Sequence, residues 1–336
     1  MNDILEETDI IQIILRVLGQ PKPPFAPIGD DVATMSYGNK NLVMKTDMFV
    51  GSTDIPPGMN LFHAARKTIV MCVSDFAAKG VRPSATMISL GLKRPVHKKD
   101  IIQLAKGFRA AAKEFGLSII GGDTNEANEL IIDCAMFGFG RRPIPRSGAR
   151  PGDIVIVTGT FGYTSIGLHI LLKTPKVVTN FKKMKAFEKE CQNSVLLPQP
   201  RLALGLALAK AKLLNASMDS SDGLALSLWE LAERSNVEID IDRPPETEET
   251  RSCAEKYGLG LEEVIFHGGE EYEIVATLPP ENWERARKIA QRLDSNLITI
   301  GKVVKGNPTV RRITQDRSWI LEKRGWTHFS SRSADS

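Results

Sequence analysis

The sequence predicts a two-domain α/β (α+β) protein, on three observations. At 336 residues the chain is about two domains long. Short apolar runs of strand length alternate with segments of helical periodicity in both halves. Between the halves lies RRPIPRSGARPGD (141–153), whose Pro, Gly and Arg content suits an exposed crossing. The predicted domains are residues 1–148 and 149–330, with 331–336 as a frayed tail.

In chain order, residues 3–18 place Ile, Leu and Val at helical spacing, and the proline-rich QPKPPFAP (20–27) leads into IGDD. The expected strands of the first half are NLVMKT (41–46), MISLGL (87–92), LSIIGG (117–122) and LIIDCAMFGFG (130–140). Its expected helices are residues 60–80 and 98–116. The second half reads as strand 153–159, helices 202–214 and 224–235, strand 237–241, a strand around 272–278, helix 281–293, and strands 297–304 and 309–313. There is no repeat at a fixed short period.

Composition narrows the function classes. Apolar residues at 42% and charged residues at 25% are ordinary globular usage. The net charge of +4 is small, and the Lys and Arg are scattered rather than interleaved with aromatics, so no nucleic-acid partner is expected. Only residues 173–189 are locally basic, and they read as a solvated surface segment. Cys72, Cys134, Cys191 and Cys253 form no CxxC, which argues against a zinc site or disulfide framework and fits a reducing compartment. The N-terminus is acidic, without the basic n-region of a signal peptide, and no apolar run reaches the ~18–20 residues of a membrane span. A cytoplasmic protein without a membrane partner is expected.

The informative residues are acids. PIGDD presents Asp30 and Asp31, LVMKTD Asp47, VMCVSD Asp75, SIIGGD Asp123, and ASMDSSD Asp219 and Asp222. In each place an apolar or small-residue run ends on a carboxylate, and such ends gather at one edge of an α/β sheet. Carboxylates within about 6 Å of one another repel by roughly 3 kcal/mol per pair at an effective dielectric near 20, so they must protonate or hold cations. All donors are oxygens, with Ser and Thr interleaved and no His or Cys beside them. That chemistry selects Mg²⁺, which bridges carboxylates to substrate phosphates. For any single Asp a turn or helix-cap role remains open; Asp222-Gly223 in particular reads as a good cap.

Other signals are weaker. GGDTNE (121–126) and TGTFGYTS (158–165) read as Gly-rich turns able to cradle phosphates. FHGGEEYEI (266–274) sets Glu270 and Glu271 after a Gly pair, as a turn into a strand or a second polar site. There is no GxxxxGK[ST] and no HRD loop, which excludes two familiar phosphoryl-transfer layouts.

Taken in order, IGDD, KTDM, VSDFAAKGVRP, GGDTNE, RSGARPGD, TGTFG, DSSDGL, HGGEEYEI and GWTHF resemble thiamine-monophosphate kinases. That family belongs to the superfamily of aminoimidazole ribonucleotide synthetase and selenophosphate synthetase. The resemblance spans about residues 28–329. It implies ATP-dependent phosphorylation of thiamine phosphate to thiamine diphosphate. It also implies a homodimer whose N-terminal sheets close into one barrel, with a mixed-sheet C-terminal domain. Position by position, it puts Mg²⁺ ligands on Asp30, Thr46, Asp47, Asp75, Asp123, Asp219 and Asp222. ATP contacts fall on Gly122, Asp123, Arg146 and Ser221, and substrate contacts on Asp54, Glu270 and Trp326. Two departures stand out: Lys45 where many relatives have Ser or Thr, and GGEEYE where GGEDYE is common.

The implied chemistry needs no general base, because the attacking phosphate oxygen is already anionic; no residue is expected in that role. Positioning and charge neutralisation carry phosphoryl transfer. Two rivals remain: another ATP-dependent synthetase of the superfamily, acting on an amide, carbamoyl or selenide substrate, and a non-catalytic nucleotide-binding protein. The first cysteine, Cys72, falls inside an apolar helix, which argues against selenide chemistry, and the intact acid set argues against a silent scaffold.

Overall fold

The computed structural model describes residues 5–173 and 186–328. Most of the locally basic stretch 173–189, and the tail 331–336, lie outside these residues. The first half runs α1 (Glu7–Leu18), β1 (Ala33–Tyr37), β2 (Lys40–Val50), a one-turn α2 (Gly51–Asp54), α3 (Leu61–Ala78), β3 (Pro83–Leu92), α4 (Lys98–Phe115), β4 (Ser118–Glu126) and β5 (Ile131–Gly140). The second half runs β6 (Ile154–Val157), α5 (Tyr163–Lys173), α6 (Ala186–Leu196), α7 (Leu202–Lys210), β7 (Ala216–Ser220), α8 (Leu224–Ser235), β8 (Glu238–Ile241), α9 (Glu248–Lys256), β9 (Glu273–Leu278), α10 (Trp283–Arg292), β10 (Ile298–Val304), β11 (Thr309–Ile313) and β12 (Ser318–Ile320). Two mixed sheets result, ordered β1-β2-β5-β3-β4 and β12-β11-β8-β10-β6-β9-β7. Among the described residues neither closes on itself.

The first sheet is two-faced because its strands alternate. Val43, Phe49, Ile132, Cys134 and Met136 turn inward and are buried, while Met48, Met87 and Phe139 are exposed. All nine residues of the edge strand β4 are exposed, Ile119 and Ile120 among them. β1 pairs with β2 only from Lys40 to Met44. In the described pairings Lys45–Val50 therefore meets a neighbour, β5, on one side alone.

α3 joins the halves. A helix apolar nearly all round belongs in a core, and α3 is buried from Ala64 to Ala78 apart from Met71. It packs on β2 and β5 on one side and on α7, β7 and β9 on the other. Its flanking helices come very close. A Cβ at Gly107 of α4 would lie 2.3 Å from the Phe62 carbonyl oxygen, and one at Gly205 of α7 would lie 2.0 Å from that of Ala77.

One expectation needs correction: GGDTNE is no turn. It continues β4, paired in parallel with β3 through Gly122↔Ile88 and Asp123↔Ser89.

Candidate metal and nucleotide site

β7 ends at Ser220 and α8 begins at Leu224, so Asp219 and Asp222 flank a strand-to-helix turn. Gly223 occupies the helix N-cap and no side chain caps it, so Asp222 is not explained as a cap. Asp219 meets Asp75, near the end of α3, and Asp31, in the loop before β1. One carboxylate oxygen from each lies within 4.8 Å of the others, and all three residues are buried. The Ser74 hydroxyl donates to Asp219 at 2.8 Å. From β2, Lys45 reaches across this group, with its Nζ 3.0 Å from Asp75 and 3.2 Å from Asp47.

Electrostatics divide these acids into two sets. In the first, the buried Lys79 ammonium is 2.5 Å from both Asp30 and Asp31 and donates to the Ser217 carbonyl at 2.7 Å. Arg146 forks onto Asp31, donates its backbone N–H to Asp30 at 3.1 Å and reaches Glu230 at 3.2 Å. Burial pushes the Asp31 carboxyl up, but Lys79 and Arg146 outweigh it and hold it below the ordinary value. The second set is crowded. Burial raises Asp75 well above the carboxylate range, with Asp219, Asp47 and Asp31 adding to it against Lys45. Burial, then Asp31, pushes Asp219 up to about 7; burial, then Glu7 of α1, pushes Asp222 up to about 6. Burial also raises Asp47, against Lys45. An all-oxygen donor set short of positive charge suits a hard divalent cation.

A second group adjoins the first. Glu270 donates its backbone N–H to the Ser221 carbonyl at 2.6 Å, and Trp326 donates its own to the Asp222 backbone carbonyl at 2.9 Å. Glu270 sits at φ 66, a conformation unusual outside glycine, and its carboxylate is 2.5 Å from the buried Lys67 ammonium of α3. The Trp326 ring is half exposed and lies edge-on to His328, whose backbone N–H donates to Glu7 at 3.1 Å. Ser221, Glu270 and Trp326 thus form a shelf beside Asp222.

The remaining expected residues lie elsewhere in this chain. The Thr46 side chain points to the outer face of the first sheet, where its hydroxyl donates to Asp133 at 2.6 Å. This follows from alternation, since Lys45 and Asp47 take the inner face. Asp123 is exposed on β4, in one row with Ser89, Asp133 and Met48. Three strand spacings separate it from β2, about 14 Å along the sheet. Gly122 is required by strand packing: a Cβ there would lie 1.8 Å from the Ile88 carbonyl oxygen. Asp54 accepts the Val50 N–H at 2.7 Å and closes the turn of α2. The TGTFG loop offers no free phosphate cradle, because Glu271 already accepts the N–H groups of Gly162 (2.7 Å) and Thr164 (3.1 Å).

Sequence reasoning passed over Asp31 in favour of Asp30, and passed over Lys67 and Lys79. The signal for the lysines was available: charges inside an otherwise apolar helical run need buried partners.

Fold and site together define a two-sheet α/β protein with a cation-seeking carboxylate cluster at the seam between its halves. Residues 29–140 match the N-terminal domain, and residues 150–313 the C-terminal domain, of the AIR synthase related protein family. The chain belongs to that family. It is similar to the thiamine-monophosphate kinase of Nitrosopumilus maritimus, 37% identical over 97% of this chain and 99% of that one. The thiamine-monophosphate kinase of Pyrococcus horikoshii is 35% identical over 97% of this chain and 96% of its own. Among solved structures, AaThiL complexed with AMPPCP and TMP superposes with a TM-score of 0.82 at 28% identity, covering 96% of this chain and 97% of that one. The hydrogenase maturation protein HypE in complex with ATP shares the fold, with a TM-score of 0.68 at 19% identity.

Proposed function

We propose that this chain transfers the terminal phosphoryl group of ATP to thiamine phosphate, giving thiamine diphosphate and ADP, the last step of thiamine diphosphate synthesis. One observation carries the reading. Asp31, Asp75 and Asp219 converge at the seam of a chain whose fold matches, over nearly its whole length, a protein solved with AMPPCP and TMP.

The donor set fits Mg²⁺, with Asp75, Asp219 and Asp222 as the residues that would hold it and Asp47 beside them on Lys45. Bound there, Mg²⁺ would neutralise phosphate charge and bring donor and acceptor together. The protein's own groups do the rest. Arg146, anchored on Asp31, offers a fixed positive fork beside the cluster. Ser221 lies on the turn between the paired aspartates, in reach of a phosphate. Trp326 presents an exposed π face to a cationic thiazolium ring, and Glu270 stands beside it. The substrate's own phosphate oxygen is the nucleophile, so no side chain need remove a proton.

The active form is proposed to be a homodimer. The open edge of β2 at Lys45–Val50 and the exposed edge strand β4 are complementary unpaired edges. Pairing β4 of a second copy with β2 would close the two sheets into a barrel around their outer faces. It would also bring the second copy's Gly122 and Asp123 to the strand that carries Asp47, which a single chain does not do. Among the described residues no helix is long and apolar enough to cross a membrane. All four cysteines are free and buried, which supports a reducing, cytoplasmic setting.

The test is chromatographic. Protein incubated with ATP, Mg²⁺ and thiamine phosphate should form thiamine diphosphate and ADP in equal amounts. ADP without thiamine diphosphate, or neither product, would overturn the reading.

A further inference from the structure

Lys79 and Arg146 are committed to Asp30, Asp31 and Glu230, which leaves Lys45, among the described residues, as the cation in contact with Asp47 and Asp75. Alternation along β2 sends Lys45 and Asp47 to the same side, toward α3. There the Lys45 ammonium contacts carboxylates from two different elements, 3.2 Å from Asp47 Oδ1 and 3.0 Å from Asp75 Oδ2. The ammonium thus bridges the two carboxylates. A Mg²⁺ ion needs its oxygens at about 2.1 Å, so an ion held by these same two atoms would sit close against the ammonium. Two cations cannot share that space.

We propose that Lys45 is a permanent cation of the cluster, taking the place of one divalent ion between Asp47 and Asp75. Divalent ions are then confined to the side of Asp75 that faces Asp219 and Asp222. This rests on the reading of the cluster as a Mg²⁺ site. A covalently attached charge cannot be lost by chelation, so part of the cluster's neutralisation is independent of the free metal concentration.

The test counts ions. Mn²⁺ bound per chain is measured by electron paramagnetic resonance with saturating AMPPCP, in folded wild type, Lys45→Thr, Lys45→Gln and Lys45→Arg. Both neutral variants should hold one more Mn²⁺ than wild type, and Lys45→Arg should hold the wild-type number. An unchanged count in either neutral variant overturns the proposal. An unchanged count with a raised KM for ATP overturns it in favour of a plain phosphate contact. If wild type holds no Mn²⁺ beyond that carried by AMPPCP, the metal-site reading itself falls.

Discussion

Glu273 is as buried as Asp75 and Asp219, yet it and the neighbouring Glu271 find their partners within the chain. Arg201 forks onto Glu273, and the Thr158 hydroxyl donates to the same carboxylate at 2.6 Å. Glu271 accepts two backbone N–H groups. In the aspartate cluster, among the described residues, Asp47 and Asp75 share the Lys45 ammonium and Asp219 accepts one serine hydroxyl. Perturbed titration does not separate the groups, since burial pushes Glu271 up to about 7 as well. Missing partners do. A carboxylate left short of donors inside a fold is waiting for something from outside.

The largest way to break this comparison is to neutralise one acid in the short-changed group. Asp75→Asn should lower kcat by on the order of 10³-fold. In chelator it should melt no lower than wild type, because a repelling charge has gone. Near-normal turnover, or a collapsed fold, would erase the distinction.

The pH dependence comes next. Asp219 has a folded pKa of about 7, against 3.8 for the free group. Folding therefore favours its protonated form, and metal-free stability should fall as pH rises from about 4 to about 7. For Asp219 alone the loss amounts to about 4 kcal/mol. Saturating Mg²⁺ should remove most of it, raising the melting temperature strongly at pH 8 and little at pH 5. Glu271 is also raised, from 4.5 to about 7, but its partners are the backbone N–H groups of Gly162 and Thr164. It should leave a residual slope that Glu271→Gln abolishes. A Mg²⁺ effect equal at both pH values would refute the assignment.

A somewhat smaller effect probes the satisfied group. Arg201→Met strands the buried Glu273 and should cost about 3 kcal/mol in urea unfolding, with or without Mg²⁺. A Mg²⁺-dependent loss would show that the two groups are not separate. Smallest is Trp326→Ala, which should raise the KM for thiamine phosphate about 10-fold while sparing that for ATP. Equal changes in both would remove Trp326 from the acceptor shelf.

Much of this architecture was legible in the sequence, and the misses have physical causes. Helix α3 and strands β5 and β10 announced themselves through long apolar or alternating runs. β7 did not, because ASMDS is short and buried on both faces, leaving no alternation to read. Asp75 and Asp219 were found because each ends an apolar run. Choosing between Asp30 and Asp31 was beyond pattern reading: they lie in a loop, where no period says which side chain turns inward. GGDTNE was mistaken for a turn because two glycines usually break a strand. Here Gly122 lets β4 approach the β3 backbone. Asp123 stayed apart because β4 is the edge strand of the first sheet, three strands away from β2.

The glycine contacts that clamp α3 between α4 and α7 have a mechanical consequence. Lys67, Asp75 and Lys79 ride on or just beyond one rod that is held too tightly on both flanks to slide or roll. That rod is the anvil of the molecule. Any rearrangement around the carboxylates is then left to the opposing wall, the turns at 221–223 and 268–272.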